Sequence, residues 1–201
     1  MRELRLANRK TVFSILDFQG IDMKPHDPAS RSITLRFLAE PTDVNFGGKV
    51  HGGAVMKWID QAGYACAVGW SGYYCVTVYI GGIRFYKPIF IGQIVEVIAT
   101  VVHTGKSSIH IAVDVTASEP KTGVRKQTTR CVIVFVAVDG AGDTVHVPHW
   151  EPVHEDDVQL QKYAMHMAEL RKAQEAELLA IDHNRVHART ATHITQADDA
   201  A

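Results

Sequence analysis

The residues Asn45-Phe46-Gly47-Gly48-Lys49-Val50-His51-Gly52-Gly53 lead from a turn-rich loop into an apolar stretch. Two glycines at the start of a helix leave backbone N–H groups approachable. With the helix dipole behind them, such donors can hold a carbonyl oxygen as it becomes an oxyanion; the same residues also suit a plain tight turn. Asp60 stands seven residues past Gly53, two turns along the same helix face. A carboxylate in an apolar helix is costly without a partner or a task. Lys57, at i−3, offers an ion pair; work as general base or nucleophile in a cleft is the alternative. Asn45 reads as a turn residue or a catalytic one, and His51 as an acid or base or a histidine bonded to backbone. Gly105-Lys106-Ser107-Ser108 sets a cation and two hydroxyls on one turn, suited to phosphate or pyrophosphate or simply solvated. His146 with His149, or His183 with His187, could pair on a metal, but no carboxylate or thiol set stands beside them at ligand spacing. No metal and no cofactor is expected.

These residues need a frame. Ser32 to Ala39 alternates apolar and polar residues, the mark of a half-buried strand. Gly52 to Trp70 is apolar on almost every side, interrupted by Lys57, Asp60 and Gln61, and predicts a helix enclosed by other structure. Its small residues, Ala54, Ala62, Gly63, Ala65 and Ala67, let neighbouring backbones approach. Cys75–Phe85, Gln93–His103, Ser107–Ser118 and Lys126–Val138 are rich in Val, Ile, Thr and aromatic residues and read as strands. With no crossover helices between them the sheet is antiparallel and the class α+β. After Pro152, Leu160, Tyr163, Met167, Leu170, Gln174, Leu178 and Ile181 recur at helical spacing and predict one apolar stripe, packed on the body or on a neighbouring subunit. The expected division is a single domain over 1–150 and a helical extension over 151–201, fraying beyond about Asn184. The Lys24–Pro28 stretch reads as a loop.

Composition narrows the function. The 201 residues are 46% hydrophobic and 21% charged, with a net charge of −1, which is a globular balance. Residues 1–150 carry 16 Lys and Arg against 12 Asp and Glu, and 151–201 carry 5 against 10. The first part mildly favours an anionic ligand but has no dense basic run for nucleic acid. No apolar run approaches the ~20 residues of a membrane span. The charged start, without an apolar segment after it, argues against secretion. Cys66, Cys75 and Cys131 form no CxxC pair and read as buried, reduced thiols of a cytoplasmic protein.

Five blocks then resemble one family in its order: Asn45-x-x-Gly48-x-Val50-His51-Gly52-Gly53 with Trp58-Ile59-Asp60-Gln61-Ala62-Gly63; Phe85-Tyr86-Lys87-Pro88-Ile89-x-x-Gly92; Gly105-Lys106-Ser107-Ser108-Ile109; and Phe135-Val136-Ala137-Val138-Asp139. They are similar to the hotdog-fold acyl-CoA thioesterases, in the group of the brain long-chain hydrolase and its bacterial short-chain relatives. The resemblance implies a curved antiparallel sheet wrapped around a long central helix, paired into dimers or a trimer of dimers, with sites between subunits. It implies that Asp60 activates water or attacks the thioester, that Asn45 of a partner subunit helps position the water or thioester, and that the Gly53 N–H polarises the carbonyl. Gly105, Lys106, Ser107 and Ser108 match the segment that contacts coenzyme A, and Arg84 and Lys87 add charge for its phosphates. The chain departs from the family where Gly81-Gly82 replaces a position that is commonly acidic or polar; two glycines in a strand suggest a bulge or a close backbone approach. Two other functions remain open: an acyl-thioester hydratase or dehydratase using His51 and Asp60, and a non-catalytic acyl-CoA-binding protein.

Overall fold

A computed structural model describes residues 31–198, and side chains over 31–181. The Lys24–Pro28 loop, the charged start and the His183 and His187 side chains lie outside the described residues. In chain order the elements are β1 (Ser32–Leu38), a short 3-10 turn (Pro41–Asp43), α1 (Gly52–Ser71), β2 (Tyr74–Phe85), β3 (Ile94–Thr104), β4 (Ser108–Ser118), β5 (Arg125–Val138) and α2 (Glu155–Asp198). The strands form one antiparallel sheet in the order β1-β3-β4-β5-β2. All five touch α1, so the sheet wraps the central helix as the resemblance implies.

Period-2 alternation explains the core. Val95, Val97, Ala99 and Val101 of β3, Ile109, Ile111, Val113 and Val115 of β4, and Cys131, Ile133, Phe135 and Ala137 of β5 are buried against Val55, Trp58, Ile59, Ala62, Cys66 and Ala67 of α1. Gly63 lets helix and sheet close up: a Cβ there would stand 2.8 Å from the Phe135 ring and 3.1 Å from Ile133. α1 begins at the His51 cap and stops at Gly72, whose left-handed φ of 75° turns the chain while its N–H bonds the Val68 carbonyl at 2.8 Å.

α1 is not enclosed on every side. Within one chain Gly53, Met56, Lys57, Gln61, Tyr64 and Ala65 are exposed and Asp60 is half-buried, at 3–4 residue spacing that makes one open stripe. The strands cover only the opposite face, and β2 ends the sheet as an edge strand.

α2 crosses the outer face of the sheet. Leu160 and Ala164 pack with Val102, Val132 and Ala112, and Met167, Ala168 and Arg171 are partly covered. The contact face therefore runs through Leu160, Ala164, Met167 and Arg171, whereas Leu170, Leu178 and Ile181 of the expected stripe are exposed in the single chain. Small Ala164 admits the sheet closely and Arg171 lends its stem, neither of which an apolar count registers. Arg31 anchors the start of α2 through an ion pair with Asp157 at 2.5 Å.

Candidate active site

The loop before α1 is held by its own polar groups. Asn45 Oδ1 accepts from the Gly47 and Lys49 N–H groups at 2.9 and 3.4 Å, and the Asn45 N–H donates to the Lys49 carbonyl at 2.8 Å. Asn45 is thus a turn residue here, with an amide NH2 that makes no hydrogen bond among the described residues. His51 caps the helix: its Nδ1 accepts from the Gly53 N–H at 3.2 Å, and its carbonyl takes the Ala54 and Val55 N–H groups at 2.9 and 3.3 Å. The N–H assigned to oxyanion binding is therefore occupied by an imidazole, while the Gly52 N–H beside it is unpartnered among the described residues. Phe85, at the end of β2, faces Gly52; a Cβ there would lie 3.6 Å from the ring.

Asp60 is bonded to neither Lys57 nor His51. Thr77 Oγ1, on β2, donates to Asp60 Oδ1 at 2.6 Å. Threonine was missed in the sequence because nothing local links a strand residue to a helix residue 17 positions earlier. The pair stands beside the open stripe of α1, so a substrate approaching that face meets a carboxylate whose one oxygen is fixed by a hydroxyl and whose other oxygen makes no hydrogen bond among the described residues. Fixing a carboxylate this way holds it in the orientation needed to take a proton.

The six residues matched to coenzyme A fall at two ends of the molecule. Arg84 and Lys87 lie near the start of α1, with Arg84 over the Tyr86 ring at 5.4 Å and Lys87 lining a cleft of about 140 Å³ with Phe90, Gln93, Lys126 and Thr128. Gly105–Ser108 forms the β3–β4 turn. There the Ser107 carbonyl accepts from the Ala137 N–H at 3.0 Å and the Lys106 carbonyl from the Val147 N–H at 3.1 Å, beside the end of β5 and so beside Tyr74, paired with Val138 after the end of α1. A 20-residue helix is about 30 Å long, so one chain brings Asp60 and Thr77 together and leaves this turn at the far end of α1 from Gly53. A Cβ on Gly105 would sit 2.6 Å from Ser108 Oγ, a contact that rotation of the serine hydroxyl relieves.

The remaining candidates are set apart from this site. Burial pushes the Cys66 and Cys131 thiols up to about 12 and raises Cys75; all three are free, buried and inert as nucleophiles. His103 and His110 lie against each other on the outer face, ring centres 5.1 Å apart. No helix among the described residues is long and apolar enough to cross a membrane.

The sequence profile of the thioesterase superfamily matches residues 47–124, the span from the glycine loop through β4. The chain is 33% identical over 127 residues to the Escherichia coli acyl-CoA thioester hydrolase YciA, covering 61% of this chain and 96% of that one. Among solved structures it is similar to a hexameric acyl-CoA thioesterase, with TM-score 0.71 and 30% identity over 75% of this chain and 97% of the other. It is also similar to the acyl-CoA hydrolase of Staphylococcus aureus, solved with butyryl-coenzyme A and coenzyme A, with TM-score 0.69 and 26% identity over 74% of this chain and 91% of that one. Three alanine variants of the S. aureus enzyme replace an asparagine, an aspartate and a threonine. Their spacing in that chain, 15 and then 17 residues, equals that of Asn45, Asp60 and Thr77.

Proposed function

The chain belongs to the acyl-CoA thioester hydrolases of the thioesterase superfamily, and on that basis we propose that it hydrolyses an acyl-CoA to the free fatty acid and coenzyme A with Asp60 as the reacting carboxylate. The observation that carries the assignment is the 2.6 Å bond from Thr77 to Asp60 beside the stripe of α1 that is open among the described residues. As general base, Asp60 takes a proton from water while the water oxygen attacks the thioester carbon. The C–O bond forms, the carbonyl electrons move to oxygen, and the oxyanion is held by backbone N–H groups at the start of α1. The carbonyl then re-forms, the C–S bond breaks, and the proton on Asp60 passes to the departing thiolate. As nucleophile, Asp60 would attack the same carbon, the C–S bond would break with the coenzyme A thiolate leaving and taking a proton from solvent, and water would then cleave the resulting mixed anhydride to the fatty acid and the free Asp60 carboxylate. In either route the Gly52 N–H is ready, and the Gly53 N–H becomes available when the oxyanion replaces His51 Nδ1 as its acceptor. His51 is engaged as a cap through Nδ1, which favours hydrolysis over proton transfer at carbon by a His51–Asp60 pair.

The working site spans subunits in this reading. β2 is an edge strand beside the open stripe of α1, which bears Met56 and Tyr64, with Tyr74 and Val78 exposed on the strand. A second copy placed there covers these residues and brings its own Asn45 amide to Asp60. The Gly105–Ser108 turn, about 30 Å along α1 from Gly53, reaches a coenzyme A only from a different copy than the one supplying Gly53. The solved relative described as hexameric supports a homo-oligomeric assembly.

The test is thiol release from acyl-CoAs of acetyl to palmitoyl length by the parent protein and Asp60→Asn. Turnover by the parent, with a loss in the variant of at least about a thousandfold and an unchanged fold, is expected. Near-normal turnover by Asp60→Asn overturns the assignment, and hydration of an enoyl-CoA without thiol release establishes the other reaction.

A further inference from the structure

Two breaks in the β2–β5 register carry more than a local irregularity. Thr77 pairs with Phe135 and Tyr79 with Val134, so Val78 is an extra residue; a second break falls between Gly81 and Arg84. Residues two apart on a strand share a face unless a bulge intervenes. Here the bulge sends Thr77 inward to Asp60 and Tyr79 outward beneath α2. At the second break Gly82 has φ 64°, and a Cβ on it would stand 3.0 Å from Tyr163 Oη and 3.3 Å from Met167 Cε. Gly81 faces Tyr79 so closely that a Cβ would lie 2.4 Å from its ring. Arg171, one helical turn past Met167, stacks on Tyr79 at 5.3 Å. Among the described residues of one chain β2 is the edge of the sheet, so within the chain its outer side is held by α2 and by no further strand.

We propose that α2 is a positioning element for the site: Tyr163, Met167 and Arg171 grip the outer side of β2 at Tyr79 and Gly82 and so hold the bulge that turns Thr77 towards Asp60. This rests on the reading of Asp60 as the reacting carboxylate. It also gives the Gly81-Gly82 departure a role: a side chain on Gly82 would meet Tyr163 and Met167 of α2, and one on Gly81 would meet the Tyr79 ring on which Arg171 stacks. An edge strand that is free to relax its bulge returns Thr77 and Tyr79 to one face, which no longer satisfies both the carboxylate and the helix.

The experiment is a double-mutant cycle on the full-length protein, reading kcat and KM from thiol release. Met167→Ala should lower kcat about three- to tenfold with KM within about twofold, and Met167→Leu, which restores the volume, should recover it. In a Thr77→Val background the same Met167→Ala should lower kcat by less than about 1.5-fold, because the route through the threonine is gone. Arg171→Gln, which removes the cation from the Tyr79 ring, should show the same dependence on Thr77 and serves if Met167→Ala does not fold. Equal losses in both backgrounds, or a lower melting temperature with kcat unchanged, overturn the proposal. The two readings fail separately: normal turnover by Asp60→Asn defeats the catalytic assignment, whereas a dead Asp60→Asn with a silent Met167→Ala defeats this inference alone.

Discussion

Acidification from pH 7 to 5 should weaken this fold by about 2 kcal/mol through a single histidine. His110 lies on the outer face of β4 with 7% of its surface exposed, and its Nδ1 has no hydrogen-bond partner among the described residues. Burial, then the neighbouring His103 and then Arg171 reaching in from α2, pull its pKa from 6.5 down to about 4. His103 is itself shifted downward, by burial and by His149. A base with a depressed folded pKa stays neutral in the native state while the unfolded chain takes up a proton. Its contribution is therefore intact above about 6.5, declines as the pH falls, and levels off once the native state protonates near 4. At pH 5 the unfolded chain is about 1.5 units below its pKa, and at 1.36 kcal/mol per unit the loss is about 2 kcal/mol. His103 adds in the same direction. Asp157, held down to about 2 chiefly by Arg31, begins to matter only below its ordinary 3.8 and does not enter this window. Urea unfolding at pH 7 and pH 5, at one protein concentration, gives the loss for the parent and for His110→Leu. The leucine variant should lose about 2 kcal/mol less over that interval. If both lose the same, the buried histidine is not the acid-sensitive group and the reasoning fails.

Two further changes probe the frame. Gly63→Ala pushes a methyl to 2.8 Å from the Phe135 ring and should cost about 1–3 kcal/mol in urea unfolding; a variant as stable as its parent would show that helix and sheet are not in limiting contact there. Asp157→Ala strips Arg31 of its partner and the Val153 and His154 N–H groups of their acceptor. It should cost about 3 kcal/mol at pH 7, with the gap to the parent narrowing as the pH falls from 3.8 towards 2, and a gap constant across that range refutes the ion-pair account.

Patterning along the chain carried most of the frame. The run from Gly52 to Trp70 and the four Val- and Ile-rich segments fall within a residue of the observed α1 and strand ends, because period and turn chemistry are local. The glycines before α1 and Asp60 stood out for the same reason: two small residues beside a helix start, and one charge among apolar neighbours. Three things depended on distant partners and were not legible. Thr77 is an ordinary strand threonine until the fold sets it 2.6 Å from Asp60. The Gly53 N–H looks bare in the sequence, but the preceding His51 turns back to cap it. α2 meets the sheet through Ala164 and the stem of Arg171, so the densest apolar stripe was not the buried one.

The order β1-β3-β4-β5-β2 has a consequence for the growing chain. Among the described residues β1 finds its neighbour in β3 and β2 in β5, whose last residue is Val138. As the polypeptide leaves the ribosome, α1 and both edge strands emerge with no sheet to join, and their apolar faces wait in water. The β3–β4–β5 meander, by contrast, pairs through short turns and can close as soon as it appears. The nascent N-terminal half is thus the stretch most in need of a chaperone, and a translational pause that falls before β5 has left the ribosome would lengthen its exposure, whereas a later one would not.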